Sequence, residues 1–185
     1  MYVRARYTGL AAAWVAYPFI ATAIAVSPWF NFNNNALSDL GNYGRQGPIA
    51  AIFNTGLIVA GILAALTAVL IIRGRRQRLV IPWSILFLIA GIDLVLVGVL
   101  SEDFGAAHGI VSMILFIMFG LTLLVYGVCA ILMKELGPGL YGIVAFLASL
   151  AVWMINWPWE GVAIQETISS LLVSAGLTII AIKHG

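Results

Sequence analysis

Six apolar runs, separated by short polar stretches, organise this chain: residues 9–29, 48–72, 79–100, 107–133, 140–156 and 163–182. They centre on the roughly 20 residues that a helix needs to cross a hydrocarbon core, the fifth being the shortest. The pattern predicts an all-α fold, a polytopic bundle of six transmembrane helices forming one integral membrane domain over residues 1–185. The chain begins MYVRARYTGL, and the first run shows no small-residue cleavage site leading into a mature domain, so it reads as a span and not as a signal segment.

Composition agrees: 63% of the 185 residues are hydrophobic and only 9% are charged, more apolar surface than a soluble domain of this length can hide. Charge then orients the bundle. Arg4, Arg6, Arg73, Arg75, Arg76, Arg78, Lys134 and Lys183 are eight of the nine basic residues, and a serpentine of six spans puts all of them on one side. By the positive-inside rule that side is the cytoplasm and holds both termini, giving a multi-pass protein of the cell membrane. Arg45 alone falls outside, together with Asp39, Glu102, Asp103, Glu160 and Glu166. Asp93 lies within the third span and Glu135 inside. Topology and anionic lipid account for the basic side, so nucleic acid is not implied.

One cysteine, Cys129, excludes an intrachain disulfide and an iron-sulfur cluster. Two histidines, of which His184 is expected to be solvated near the cytoplasmic end, exclude bis-histidine haem and a three-histidine zinc site. One divalent ion held by His108 with Asp39, Asp103 and Glu166 stays open as a cofactor.

The candidate chemistry gathers on the outer side. The connection NFNNNALSDLGNYGRQG, residues 31–47, is rich in residues that form Asx turns and left-handed backbone. It predicts either an ordered cap or a plain loop whose asparagines satisfy its own backbone, with Ser38 or Asp39 as the N-cap of a short helix. Asn54 and Asp93 sit within the outer half of the bilayer, where a carboxylate costs about 2.5–3.5 kcal/mol on insertion scales. In SEDFGAAHG, residues 101–109, a turn between antiparallel helices can bring Asp103 within hydrogen-bonding reach of His108, with Ser112 one turn deeper. A carboxylate beside imidazole suits proton transfer or metal binding; the plain alternative makes Asp103 an N-cap. Trp157 and Trp159 fit an interfacial belt. Glu166, Ser170, Ser174 and Thr178 form a polar stripe down the last span, ordinary packing surface for the hydroxyls. Ser38, His108 and an acid make a triad on paper that nothing else favours, and no P-loop, dinucleotide fingerprint, nucleophile elbow or HExxH is present.

Several stretches resemble a family of small bacterial and archaeal membrane proteins catalogued as domain of unknown function 998. They are LSDLG (37–41), FNTGLIVAG (53–61), VGVLSEDFGAAHGIVSM (97–113) and the region of Glu166. The resemblance implies a six-span fold and singles out Ser38, Asp39, Asn54, Asp103, His108 and Glu166. It also implies a basic residue after the last acid, where this chain has Thr167, leaving Glu166 unpaired or partnered by Arg45.

The expected centre therefore consists of Asp39, Asp103, His108 and Glu166 as acid-base or metal-binding groups, with Ser38, Asn54, Asp93 and Arg45 positioning a substrate. The favoured function is a hydrolase or transferase acting on a lipid headgroup, or a ligand-binding site, with membrane lipid as partner. The alternatives are a proton or cation transport module along Asp93 and the stripe, and an accessory subunit; a homo-oligomer or a larger membrane complex stays open.

Overall fold

The computed structural model describes residues 2–75 and 77–185, with side chains from residue 4 onward; Arg76 of the basic run lies outside the described residues. Helices run over Tyr2–Trp14 (α1), Ala16–Ala25 (α2), Tyr43–Gln46 (α3), Ala50–Gly74 (α4), Val80–Val99 (α5), Ala106–Leu132 (α6), Leu136–Met154 (α7) and Ala163–His184 (α8). Short 3-10 turns cover Leu37–Gly41, Gly47–Ile49 and Glu102–Phe104. Six segments among the described residues are helical, long and apolar enough to cross a membrane. The protein is an all-α, multi-pass membrane bundle.

Prolines set several helix starts. Pro18, Pro82 and Pro138 are each the third residue of their helix, inside the first turn, where a missing N–H costs nothing. Pro18 also explains why the first crossing is two helices: its ring occupies the space of the carbonyl of Trp14, four residues back, and α1 ends there. The crossing begins well before Gly9 because α1 and α2 together form it. The fifth helix likewise starts before residue 140, at Leu136, because its turn is tight. Lys134 takes a left-handed φ of 64°, Lys134 N–H donates to Ile131 O at 2.9 Å and Glu135 N–H to Ala130 O at 2.8 Å, a Schellman closure that usually carries glycine.

The crossings form a ring in chain order. α1 and α2 pack on α4, α4 on α5, α5 on α6, α6 on α7 and α7 on α8, and α8 closes back onto α1. At one pole lie the start of α1, the turn between α4 and α5, the turn between α6 and α7, and the end of α8; the basic residues cluster here. His184 is not solvated: its ring packs 5.2 Å from Trp83 and 5.8 Å from Tyr126, and Nε2 stands 3.7 Å from Glu135. The interior between the poles is apolar, with Ile71, Trp83, Phe87, Leu123, Tyr126 and Ile180 fully buried.

The opposite, acidic pole is capped by residues 31–49. Leu37 and Leu40 turn inward and pack with Ala23, Phe53 and Ala163, so the 3-10 turn is anchored by burial. Asparagines order the rest: Asn35 Oδ1 accepts from Asn31 N–H at 3.0 Å and Asn31 Oδ1 from Asn33 N–H at 2.8 Å. The backbone of Asn33 and Asn35 accepts from Gly161, Val162 and Ala163, tying the cap to the start of α8. Both expectations for this connection thus meet, since the asparagines satisfy local backbone and thereby build an ordered cap. The N-cap expectation needs correction: Ala36 is the N-cap, and Asp39 sits at the third helical position and accepts from Ala36 N–H at 3.2 Å.

Candidate functional site

A cavity of about 910 Å³ runs along α6 from the acidic pole. Its head is polar, lined by Ser38, Asn42, Glu102, His108, Ser112 and Glu166; its shaft is mainly apolar, lined by Met113, Phe116, Ile117, Gly120, Leu121, Phe146, Leu150 and Trp153, with Ser149 among them. His108 to Leu121 is thirteen residues of helix, about 20 Å at 1.5 Å each. Met113, Ile117 and Leu150 both line it and are exposed, so it opens sideways between the helices.

Three glycines of α6 explain the opening. A β-carbon on Gly127 would come 2.8 Å from Gly139 O, on Gly120 it would come 3.5 Å from the Phe146 ring, and on Gly109 it would meet nothing within 4 Å. The helices α6 and α7 are therefore zipped at their tight turn and part toward the acidic pole. A second, smaller hollow of about 130 Å³ lies inside the ring, and Ser38, Ser112, Phe116 and Glu166 line both spaces.

The head is held by hydrogen bonds from several elements. Glu166, at the first turn of α8, accepts from Leu37 N–H at 2.5 Å. Asp39 accepts from Asn35 Nδ2 at 2.6 Å, and Arg45 lies 3.4 Å from the same carboxylate oxygen. The Arg45 guanidinium also covers the Trp29 ring at 4.1 Å, so Arg45 braces the cap and does not line the cavity or reach Glu166. Glu102 stands against Asp39 and Asn42. Burial pushes its carboxyl up to about 7, and the neighbouring Asp39 adds to that, while Asn42 and Arg45 pull the other way. Its Oε2 is buried with no hydrogen-bond partner.

Asp103 and His108 do not meet. Asp103 accepts from Tyr43 N–H and Gly44 N–H, each at 2.7 Å, and from Ser101 Oγ at 3.0 Å. The N–H donors of Gly44 and then Tyr43 hold its carboxyl below the usual range. It is a clasp between two loops, not an N-cap and not a partner of the histidine. His108 is buried, with Nδ1 2.6 Å from Leu100 O and Nε2 3.1 Å from Ser112 Oγ. Asn54 is buried and donates to Gly41 O at 2.9 Å, fixing the cap onto α4. Asp93 is buried in α5, its Oδ2 without a partner, and it lines neither cavity. The stripe of α8 serves packing: Tyr17 OH reaches Ser170 and Ser174, and Trp14 Nε1 donates to Thr178 at 3.0 Å.

These engagements bear on a metal. Both ring nitrogens of His108 and both oxygens of Asp103 are taken, and among the described residues no three His, Cys, Asp or Glu side chains come together as ligands. The structure draws Ser38, His108 and Glu166 to one cavity, backs them with Asp39, turns Asp103, Asn54 and Arg45 to bracing the loops and the cap, and leaves Asp93 buried away from both cavities. Glu102, Ser112, Gly109 and Gly120 are the additions; the SED triplet and the spacing of Ser112 from His108 were the signals available for two of them.

Residues 10–183 match the family model described as a protein of unknown function, DUF998. The chain belongs to this family. Comparison with curated proteins and with solved structures finds no match. As a DUF998 protein it carries its cavity and its acidic cap within the matched span.

Proposed function

We propose that this DUF998 protein binds a membrane lipid sideways, with the acyl chain along α6 and α7 and the polar head against Glu102, His108, Ser38 and Glu166. The observation that carries the reading is the change of lining along one cavity: polar at the pole, mainly apolar below it apart from Ser149, open to the side where lipid lies. Water filling would suit a polar lining, whereas an apolar shaft inside a bilayer is best covered by hydrocarbon.

Charge selects the head. No Lys or Arg among the described residues lines the cavity, and two carboxyl groups do. The site thus suits a head rich in donors, an amine or a polyol, and offers nothing to neutralise a bare phosphate. The positive-inside rule applied to the charge layout supports an extracytoplasmic position for this head. Binding is favoured over ion transport because the core between the hollow and the basic pole is closed by large apolar side chains.

The test is lipid extraction from detergent-purified protein followed by mass spectrometry. Gly120→Leu places a side chain in the shaft beside Phe146, whose ring an added β-carbon would meet at an ordinary contact distance of 3.5 Å. The variant is expected to fold as the wild type does and to carry at least about tenfold less co-purifying lipid, a loss of about 1.4 kcal/mol or more. Equal lipid in both proteins would overturn the reading.

A further inference from the structure

Hydroxyl groups on these helices have a common habit. Thr22, Thr67, Ser84, Thr122, Thr167 and Thr178 each donate to the carbonyl four residues back, the usual way a buried hydroxyl satisfies itself in a helix. Ser112 departs from it. Four residues back stands His108, and the Ser112 hydroxyl lies 3.1 Å from the imidazole Nε2.

The direction of that bond follows from the other nitrogen. Nδ1 is 2.6 Å from Leu100 O, and a carbonyl only accepts, so in the neutral ring Nδ1 carries the proton and Nε2 holds the lone pair. Ser112 therefore donates its hydroxyl proton to a base whose tautomer and orientation are fixed by a third group. A hydroxyl, a base and an orienting acceptor in that order make the arrangement of an activated serine nucleophile. Leu100 O is the positioning group, in the place that a carboxylate takes elsewhere.

The place of Ser112 in the cavity is the second observation. Above it the lining is Ser38, Glu102, His108 and Glu166; below it are Phe116, Gly120 and Leu121, with Ser149 across from them on α7. The hydroxyl stands where polar gives way to apolar, which is the depth of the ester linkages in a lipid whose head and tail occupy the two ends.

The geometry points to Ser112 as a nucleophile, with His108 as its base, that takes an acyl group from a carboxylic ester of a membrane lipid; this rests on the cavity holding such a lipid. In the first step a bond forms between Ser112 Oγ and the ester carbonyl carbon, and the bond from that carbon to the alcohol oxygen breaks. The proton passes from Oγ to His108 Nε2 and on to the leaving alcohol. A water molecule, or the hydroxyl of a second lipid, then attacks the acyl-serine and yields its proton by the same route, restoring Ser112 and releasing acid or new ester. No oxidant or reductant is involved.

A long-chain alkyl fluorophosphonate is the probe, applied to the purified full chain with adduct mapping by peptide mass spectrometry and lipid content measured in parallel. The expected result is an adduct on Ser112, with labelling slowed at least about 100-fold in both Ser112→Ala and His108→Gln. Lipid bound by the wild type with no adduct on Ser112 overturns the nucleophile and leaves the binding reading standing. An adduct on Ser112 in a protein that carries no lipid supports the nucleophile and sinks the binding reading; neither adduct nor lipid overturns both. Because the adduct is mapped on the wild type, a variant that fails to fold does not rescue the proposal.

Discussion

The interface between α4 and α5 and the one between α6 and α7 are built from the same material and end differently. In the first, a β-carbon on Gly91 would come 2.6 Å from Ala65 N, and on Gly61 2.7 Å from Gly91 O, so backbone lies against backbone at both glycines. In the second, Gly127 makes the same kind of approach near the turn, but Gly120 and Gly109 face a ring edge and open space. Small residues let transmembrane helices close on each other when small or slender residues face them. Opposite Gly120 stands Phe146, which holds the helices apart instead. A glycine in a span is thus a contact or a gap according to its neighbour across the interface, and the gap is where this protein keeps its cavity.

The largest expected effect breaks the closed interface. Gly91→Leu must push Ala65 away through backbone atoms, which cannot yield as a side-chain end can, so the cost should pass the ~1–3 kcal/mol of ordinary overpacking. The variant is expected to aggregate or to lose its thermal transition in detergent. The matching change at Gly120 should leave that transition in place and remove lipid. If both substitutions lower stability alike, the distinction between the two interfaces is wrong.

A middle effect comes from the cap. Glu166→Ala leaves Leu37 N–H without the acceptor it donates to, and a buried donor left unsatisfied costs about 1–3 kcal/mol. Hydrogen exchange of residues 36–41 is expected to quicken while the helices keep their protection, and Glu166→Gln, which keeps the acceptor, should recover most of the loss. Protection unchanged in Glu166→Ala would show that Leu37 and Leu40 hold the cap by burial alone.

Runs of apolar residues and their charged ends made the six crossings legible, since a bilayer imposes length and polarity on each helix separately. The break at Trp14 was legible in principle from Pro18. The site was legible only in part. His108 was singled out, yet its partner proved to be Leu100 O, a backbone atom that no pattern of side chains marks. Asp103 drew attention for its charge, and its charge is spent on two backbone N–H groups sixty residues away in sequence. Glu102, beside it, received less weight because nothing local distinguishes the two; what separates them is burial, a property of the folded ring. The cavity itself depends on Phe146 facing Gly120, a pairing between helices that a single run cannot reveal.

The smallest expected effect is a matter of pH at the head of that cavity. Glu102 would ionise near 4.5 in an open chain and is held up to about 7 in the fold, burial first and Asp39 second. A carboxyl whose pKa is raised by folding binds its proton more tightly in the folded state. Its contribution to stability is complete below about 4.5 and is lost as the pH rises through about 7. The wild type should therefore melt at a lower temperature at about pH 8 than at about pH 5, by a few degrees at most because the group is half exposed and solvent screens it. Glu102→Gln keeps the shape and removes the ionisation, so its melting temperature should change less over the same interval. Binding should move the other way: above about 7 the head gains a negative charge, and a lipid with an amine head is expected to bind more tightly there in the wild type but not in Glu102→Gln. A variant that keeps the full wild-type dependence of both melting and binding would place the titrating group elsewhere.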